Sequence, residues 1–287
     1  MILFFGSFVL LLLIGVPISI SIGASAILGC FSLGYPIMVI GQKMVSGIDS
    51  FLLIAIPLFI LAGNVMNAGK ITEKIFDFAK RLVGWIPGGL GHANVVASLI
   101  FAGMSGSAAA DAGGLGTIEM EAMTTNGYDE DFSAAVTASS TVIGPIFPPS
   151  IPLIIYGSVA SVSVSQLFMG GVVPGLLMAF TLMVMVYIFA LKRKYQRFQF
   201  SITLLVKQFF VSVLSIITPL IILSGFTLGL FTPTEASSVA VLYALLIAIF
   251  VYRSLDWETF KKCLLESAIT SANTLFIIGT SMLFSYV

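Results

Sequence analysis

The sequence predicts an all-α polytopic membrane protein, and three observations predict it. Of 287 residues, 58% are hydrophobic and only 9% charged, with a mean hydropathy of +1.10, whereas a soluble domain carries roughly 25% charged residues. Apolar runs long enough to cross ~30 Å of hydrocarbon recur along the whole chain. Two stretches between them are rich in serine, glycine and proline, and loose backbone inside hydrocarbon needs a reason to be there. The zero formal net charge decides little, because in membrane proteins the placement of Lys and Arg outweighs their sum. Cys30 and Cys263 make no framework, metal pattern or CxxC motif. A single histidine, His92, argues against an ordinary zinc or haem site, and no nucleic-acid partner is expected. The first basic residue is Lys43, so Met1 to Leu13 reads as a mature membrane segment rather than a signal peptide.

Taken in order, residues 1–34 form one long apolar segment broken near Gly15 and Pro17, and a second span covers about 48–69. The character then changes. Lys70, Glu73, Lys74, Asp77, Lys80 and Arg81 alternate with Ile71, Ile75, Phe78 and Leu82, which predicts an amphipathic helix lying in the membrane interface. Residues 92–126 are the unusual part. A-G-M-S-G-S-A-A-A-D-A-G-G-L-G, from Ala102 to Gly116, sets a serine and glycine break and an ionisable Asp111 between two apolar legs. At roughly 12–18 residues neither leg comfortably crosses a bilayer, which predicts a re-entrant helical hairpin (92–126) with its tip at Ser105–Ser107 near mid-membrane. Asn126-Gly127 supplies a helix stop, and Asp129 to Asp131 an acidic helix start. The segment 130–160 then meets Ser139-Ser140-Thr141, Gly144-Pro145 and Pro148-Pro149-Ser150-Ile151-Pro152. Four prolines in eight residues cannot be a regular helix interior, so this is predicted as a broken transmembrane helix, two half-helices joined by extended backbone. Ordinary spans follow at about 166–191, 202–229, 233–252 and 257–287.

The basic residues test this layout. Lys192, Arg193, Lys194 and Arg197 form the densest cluster, which the positive-inside rule places in the cytoplasm. Two crossings back lies the 70–81 helix, and two crossings forward lie Arg253, Lys261 and Lys262. All three groups fall on one side only if 92–126 is re-entrant. A weak internal repeat also emerges: Gly15-Val16-Pro17 and Phe231-Thr232-Pro233 each precede a small-residue helix, and 48–67 matches 266–287 in type. The paired segments cross in opposite directions, the mark of an inverted repeat.

A hairpin tip and a broken helix bring several helix termini together. N-termini offer N–H groups to an anion, while C-termini and extended backbone offer carbonyl oxygens to a cation. Ser105, Gly106 and Ser107 at the tip, with Ser139, Ser140, Thr141, Gly144 and Pro145 opposite, are candidate oxygen donors for Na⁺; the bland alternative is close helix packing by small residues. Asp111, in the first turns of the second leg, reads as part of a cation site or gate, against simple pairing with the helix dipole. Glu119 and Glu121 are expected near the leg's exit, at the cytoplasmic interface. Thr232-Pro233-Thr234-Glu235 reads as a capping box, which suffices to explain Glu235. Gly103-Met104-Ser105-Gly106 spells the G-x-S-G of the rhomboid intramembrane serine proteases, the distant alternative. Its only histidine, His92, lies 13 residues upstream, ~20 Å away along a helix, too far to act as the base.

F-A-G-M-S-G-S-A-A-A-D-A-G-G-L-G (101–116) and I-G-P-I-F-P-P-S-I-P (143–152), followed by Ile154-Ile155-Tyr156-Gly157, resemble the large membrane subunit of tripartite ATP-independent periplasmic (TRAP) transporters. I-P-L-F-I-L-A-G (56–63), the stretch Gly69 to Glu73 and G-L-F-T-P-T-E-A (229–236) strengthen the resemblance, which covers most of the chain. It implies an inverted-repeat, elevator-type secondary transporter of the bacterial inner (cytoplasmic) membrane, not an enzyme. It implies Na⁺ coupling, a small four-helix membrane subunit, and a periplasmic substrate-binding protein delivering a carboxylated solute, either a C4-dicarboxylate or a sialic acid. The related alternative is a stand-alone Na⁺-coupled dicarboxylate or citrate elevator carrier that needs no binding protein.

By motif position, the resemblance makes Ser105, Ser107, Asp111, Ser140, Pro149 and Ser150 substrate-binding candidates. Ser105, Gly106, Ser107, Ser139, Thr141, Gly144 and Pro145 become the Na⁺ candidates. It implies scaffold helices and an interfacial arm at 1–84, the transport-domain hairpin and broken helix at 85–165, connecting spans at 166–232, and the start of a second repeat at 233–287. That second copy stops at Val287 before its own hairpin, so against this family the chain reads as C-terminally truncated, and transport by it alone is expected to be undetectable.

Overall fold

A computed structural model describes residues 2–287, and the described residues are helical with short connections. They divide into two compact units: the residues up to Ile54 with Ala268–Val287, and Ala55–Ser267.

The first unit contains α1 (Ile2–Leu13), α2 (Ile18–Ser32) and α3 (Ile37–Ile48), with the last turns of the C-terminal helix α14 (Trp257–Tyr286). The expected break near Gly15 and Pro17 is present: Gly15 adopts a left-handed φ of +87° and Pro17 immediately precedes α2. The apolar 1–34 segment is therefore two short helices packed on one another. Phe4, Ala26, Cys30 and Leu283 form their shared core, with the Phe4 and Phe284 rings 4.4 Å apart. The sequence predicts no element over 37–48, where α3 starts directly after Pro36. Its outward Ile37 and Met38 are largely exposed, as suits a surface facing hydrocarbon.

The second unit opens with a 3-10 turn's successor, α4 (Ala55–Ala68), whose most extensive neighbour is α13 (Pro233–Leu246). The capping box predicted at the start of α13 forms: the Glu235 N–H donates to Thr232 Oγ1 at 3.3 Å and the Thr232 N–H to Glu235 Oε2 at 2.8 Å. A π-helical turn, Ile247–Val251, closes α13. The amphipathic helix is α5 (Ile71–Val83), but its buried stripe is Ile71, Thr72, Ile75, Phe76 and Ala79. Leu82, expected on that face, is exposed. The reason is tertiary: α5 is covered from two sides, by α6 (Gly89–Ser105) and α12 (Ile202–Thr227). Phe78 flanks the stripe, its ring 6.0 Å from that of Phe209.

The hairpin follows as α6, a short α7 (Ala108–Gly113) and α8 (Leu115–Thr125), with the two long legs packed side by side. At 17 residues, α6 is about 25 Å long, short of a bilayer's ~30 Å core. Its second leg carries a break not foreseen in the sequence, at Gly114. The broken helix is α9 (Glu130–Thr141) and α10 (Ile151–Ala160), joined by the proline-rich stretch 142–150. Asp129 precedes α9 but does not cap it with its side chain. Instead its carboxylate takes Arg193 and Tyr195, the latter at 2.6 Å, tying the start of α9 to the end of α11 (Val164–Arg193). Among the described residues, five segments are long and apolar enough to cross a membrane: Phe51–Ala68, Val164–Arg193, Ile202–Phe226, Pro233–Val251 and Trp257–Tyr286.

Candidate functional site

The tip of the hairpin is built by two residues with opposite backbone needs. Gly106 ends α6 with φ +60°, a left-handed geometry that glycine adopts without steric cost. A methyl group there would lie 2.5 Å from the Pro149 carbonyl oxygen, so the tip can touch the broken helix only as glycine. Ser107 is extended and caps α7, its hydroxyl accepting the Ala110 N–H at 3.4 Å. The contact across the gap is direct: the Ile151 N–H donates to the Gly106 carbonyl at 3.2 Å. On the facing side Ser150 caps α10 through the Leu153 N–H at 3.3 Å and donates its own proton to the Pro145 carbonyl.

Asp111 stands behind this tip, with no solvent exposure. Ser105 donates its hydroxyl to Oδ1, and the same Ser105 oxygen accepts the Ser107 N–H at 3.4 Å. The other oxygen, Oδ2, has no hydrogen-bond partner. It points at the α-carbon of Gly144, where a methyl group would lie 2.8 Å from it. The Thr141 carbonyl and the Ser107 backbone close the same corner, at 3.3 and 3.4 Å from that position. A buried, half-satisfied carboxylate beside backbone carbonyls is a site that a small cation can complete, since carboxylate and carbonyl oxygens are its natural ligands.

The structure thus gathers Ser105, Gly106, Ser107, Asp111, Gly144, Pro145, Pro149 and Ser150 at the tip. The Ser139–Thr141 group divides. Ser140 turns into a buried seam between α6 and α9, donating to Asn94 Oδ1 at 2.7 Å and accepting from Ser98 at 3.0 Å. Ser139 bonds the Ala135 carbonyl, and the Thr141 hydroxyl the Ala138 carbonyl, so Thr141 meets the Gly144 corner only through its backbone oxygen. His92, at the opposite end of α6 from Ser105, is buried near the hairpin's base.

A family model described as "Tripartite ATP-independent periplasmic transporter, DctM component" matches residues 5–287. The chain belongs to that family. The sialic acid TRAP transporter large permease protein SiaM of Vibrio cholerae is 47% identical over 249 residues, covering 84% of this chain and 57% of its own length. The sialic acid TRAP transporter permease protein SiaT of Haemophilus influenzae is 48% identical over 239 residues, covering 83% and 39%. The C4-dicarboxylate TRAP transporter large permease protein DctM of Rhodobacter capsulatus is 36% identical over 298 residues, covering 98% and 66%. This chain therefore spans less than two thirds of each of these relatives.

In this DctM-family chain one acid lies away from its expected place, and one wall has no counterpart among the sequence expectations. Glu119 and Glu121 were both expected at the interface; Glu121 is exposed, but Glu119 is wholly buried on the stripe Leu115, Gly116, Glu119, Met123 of α8. Two residues apart on a helix, they point to different sides, about 200° from one another. Behind α7 opens a cavity of about 360 Å³, lined by its outer face and by Asn64, Asn67, Thr259, Lys262 and Glu266. Asn67 holds α7 through the Ala110 carbonyl at 3.4 Å and accepts from Thr72 at 2.8 Å. Two asparagines one turn apart inside an apolar span were the available signal.

Proposed function

We propose that this chain forms the cation- and substrate-binding half of a Na⁺-coupled TRAP permease of the bacterial inner membrane, importing a carboxylated solute of the sialic acid kind. The observation that carries the reading is Asp111: one oxygen held by Ser105, the other free and buried against Gly144. Na⁺ would sit between the tip and the broken helix, on Ser105, Gly106, Ser107, Thr141, Gly144 and Pro145, mostly through backbone oxygens, while Ser139, expected among the ligands, bonds the Ala135 carbonyl instead. Its charge would offset Asp111 and hold the tip on α10, leaving Ser107, Pro149, Ser150 and the N-termini of α7 and α10 to meet a carboxylate. Ser140 would serve as support behind that wall. A small membrane subunit and a periplasmic binding protein complete the transporter, as in the family, and the chain is not an enzyme. Against proteolysis, the Ser105 hydroxyl is committed to a carboxylate and the buried His92 lies at the other end of the same helix. Sialic acid is favoured over C4-dicarboxylates because relatives named for it are 47–48% identical, against 36% for the Rhodobacter protein.

The test replaces the matching 249-residue segment of the Vibrio permease with this chain's and measures sialic acid uptake with the cognate small subunit and binding protein. Uptake that requires Na⁺ and the binding protein, and is lost with Asp111→Asn, is expected. Na⁺-independent uptake, dicarboxylate uptake instead, or uptake without the binding protein would overturn the corresponding part of the reading.

A further inference from the structure

Of the thirteen Asp and Glu residues, only Asp111 and Glu119 are buried. Asp111 is accounted for by the tip. Glu119 is not: it has no solvent exposure, and neither carboxylate oxygen has a hydrogen-bond partner. No Lys or Arg pairs with it, since the ion pairs among the described residues are Arg193–Asp129 and Lys262–Glu266.

The elements packed against α8 are α5, α6, α7 and α9, and none offers a counter-charge. The buried face of α5 is Ile71, Thr72, Ile75, Phe76 and Ala79; its Glu73, Asp77 and Lys80 line an outer cavity with Glu121. On α6 the buried titratable group is His92, and on α7 it is Asp111. The buried face of α9 holds no acid or base, and Asp129, Glu130 and Asp131 at its start are exposed. The nearby hydroxyls and amide bond one another and not Glu119: Asn94 donates to Thr137 at 2.8 Å, Ser98 to Ser140, and Ser140 to Asn94. Ser133 donates to the Asp129 carbonyl. This separates Glu119 from Asp111, which has a hydroxyl donor on one oxygen. A metal cation needs several oxygens in reach; a bare carboxylate here would be an uncompensated buried charge; a proton neutralises the group with no further ligand.

We propose that Glu119 is a proton-binding site, a carboxylic acid held in its neutral form within the second leg of the hairpin and distinct from the Asp111 site. The proton keeps α8 closed on α6 and α9, and losing it would set an unpaired charge in that packing. Closure of the hairpin is thereby linked to proton occupancy.

The test is infrared spectroscopy of the purified chain in lipid nanodiscs at neutral pH, reading the carbonyl stretch of protonated carboxylic acid. In the Asp111→Asn background Glu119 is the only buried acid, so the band is expected there and its complete loss is expected on adding Glu119→Gln. No such band in Asp111→Asn, or a band undiminished by Glu119→Gln, would overturn the proposal. Should the double variant fail to fold, the Asp111→Asn spectrum decides alone: a protonated-acid band that shifts on deuterium exchange supports the site, and its absence overturns it.

Discussion

Asp111 and Gly144 are one unit at the scale of residues. The carboxylate reaches the broken helix because residue 144 has no side chain, and a methyl group at that position would lie 2.8 Å from Oδ2. Gly144→Ala is therefore expected to push the carboxylate or the 142–150 stretch aside, at a cost of about 1–3 kcal/mol, the usual range for overpacking a filled site. Thermal unfolding in detergent checks it, and a variant as stable as the parent would show that the corner has spare room. Much of this pairing was legible in the sequence. An acid and loose backbone in an apolar chain mark a site because each is costly in hydrocarbon. What was not legible is direction. Ser139, Ser140 and Thr141 are consecutive, yet each successive helical residue turns by about 100°. One therefore joins the α6 seam, and another meets the site only through its carbonyl.

Elements are held in place by polar ties at their ends. The Asp129 carboxylate at the start of α9 accepts Tyr195 and Arg193 from the end of α11, and the Tyr128 and Tyr195 rings stack 4.2 Å apart over the same joint. Hydrogen bonding from Tyr195, then Arg193, holds the Asp129 carboxyl below the usual aspartate range. Because the folded state binds the proton more weakly than the unfolded one, the stabilisation is present at neutral pH. It fades as pH falls from about 4, the ordinary aspartate value, through the lower folded-state value. Asp129→Asn is expected to lower the unfolding midpoint at neutral pH and to match the parent in strong acid; a gap that persists or widens in acid would contradict this. Helix existence and boundaries were largely readable from apolar run length, glycine and proline, as α11, α12 and α14 illustrate. The buried face of α5 was not, since periodicity gives a stripe and only the positions of α6 and α12 decide which edge of it is covered. The fate of Glu119 was likewise hidden, because burial depends on the helices packed around α8.

At the scale of the molecule, five membrane-length segments among the described residues alternate along the chain with two shorter devices, a hairpin and a broken helix touching at Gly106 and Ile151. With the hairpin re-entrant, the basic clusters near Lys70 to Arg81, Lys192 to Arg197 and Arg253 to Lys262 all fall on one side, as the positive-inside rule requires. Both devices lie within this chain, so the cation site proposed between them can be tested on it. A ligand that binds only the folded state raises stability by about 2.7 kcal/mol at a hundredfold excess over Kd. The most direct measurement is the unfolding temperature of the purified chain in rising NaCl against equal choline chloride, with Asp111→Asn alongside. The expected result is a midpoint that climbs with Na⁺ alone in the parent and stays flat in the variant. Equal midpoints in Na⁺ and choline, or a Na⁺ response undiminished in Asp111→Asn, would contradict the account.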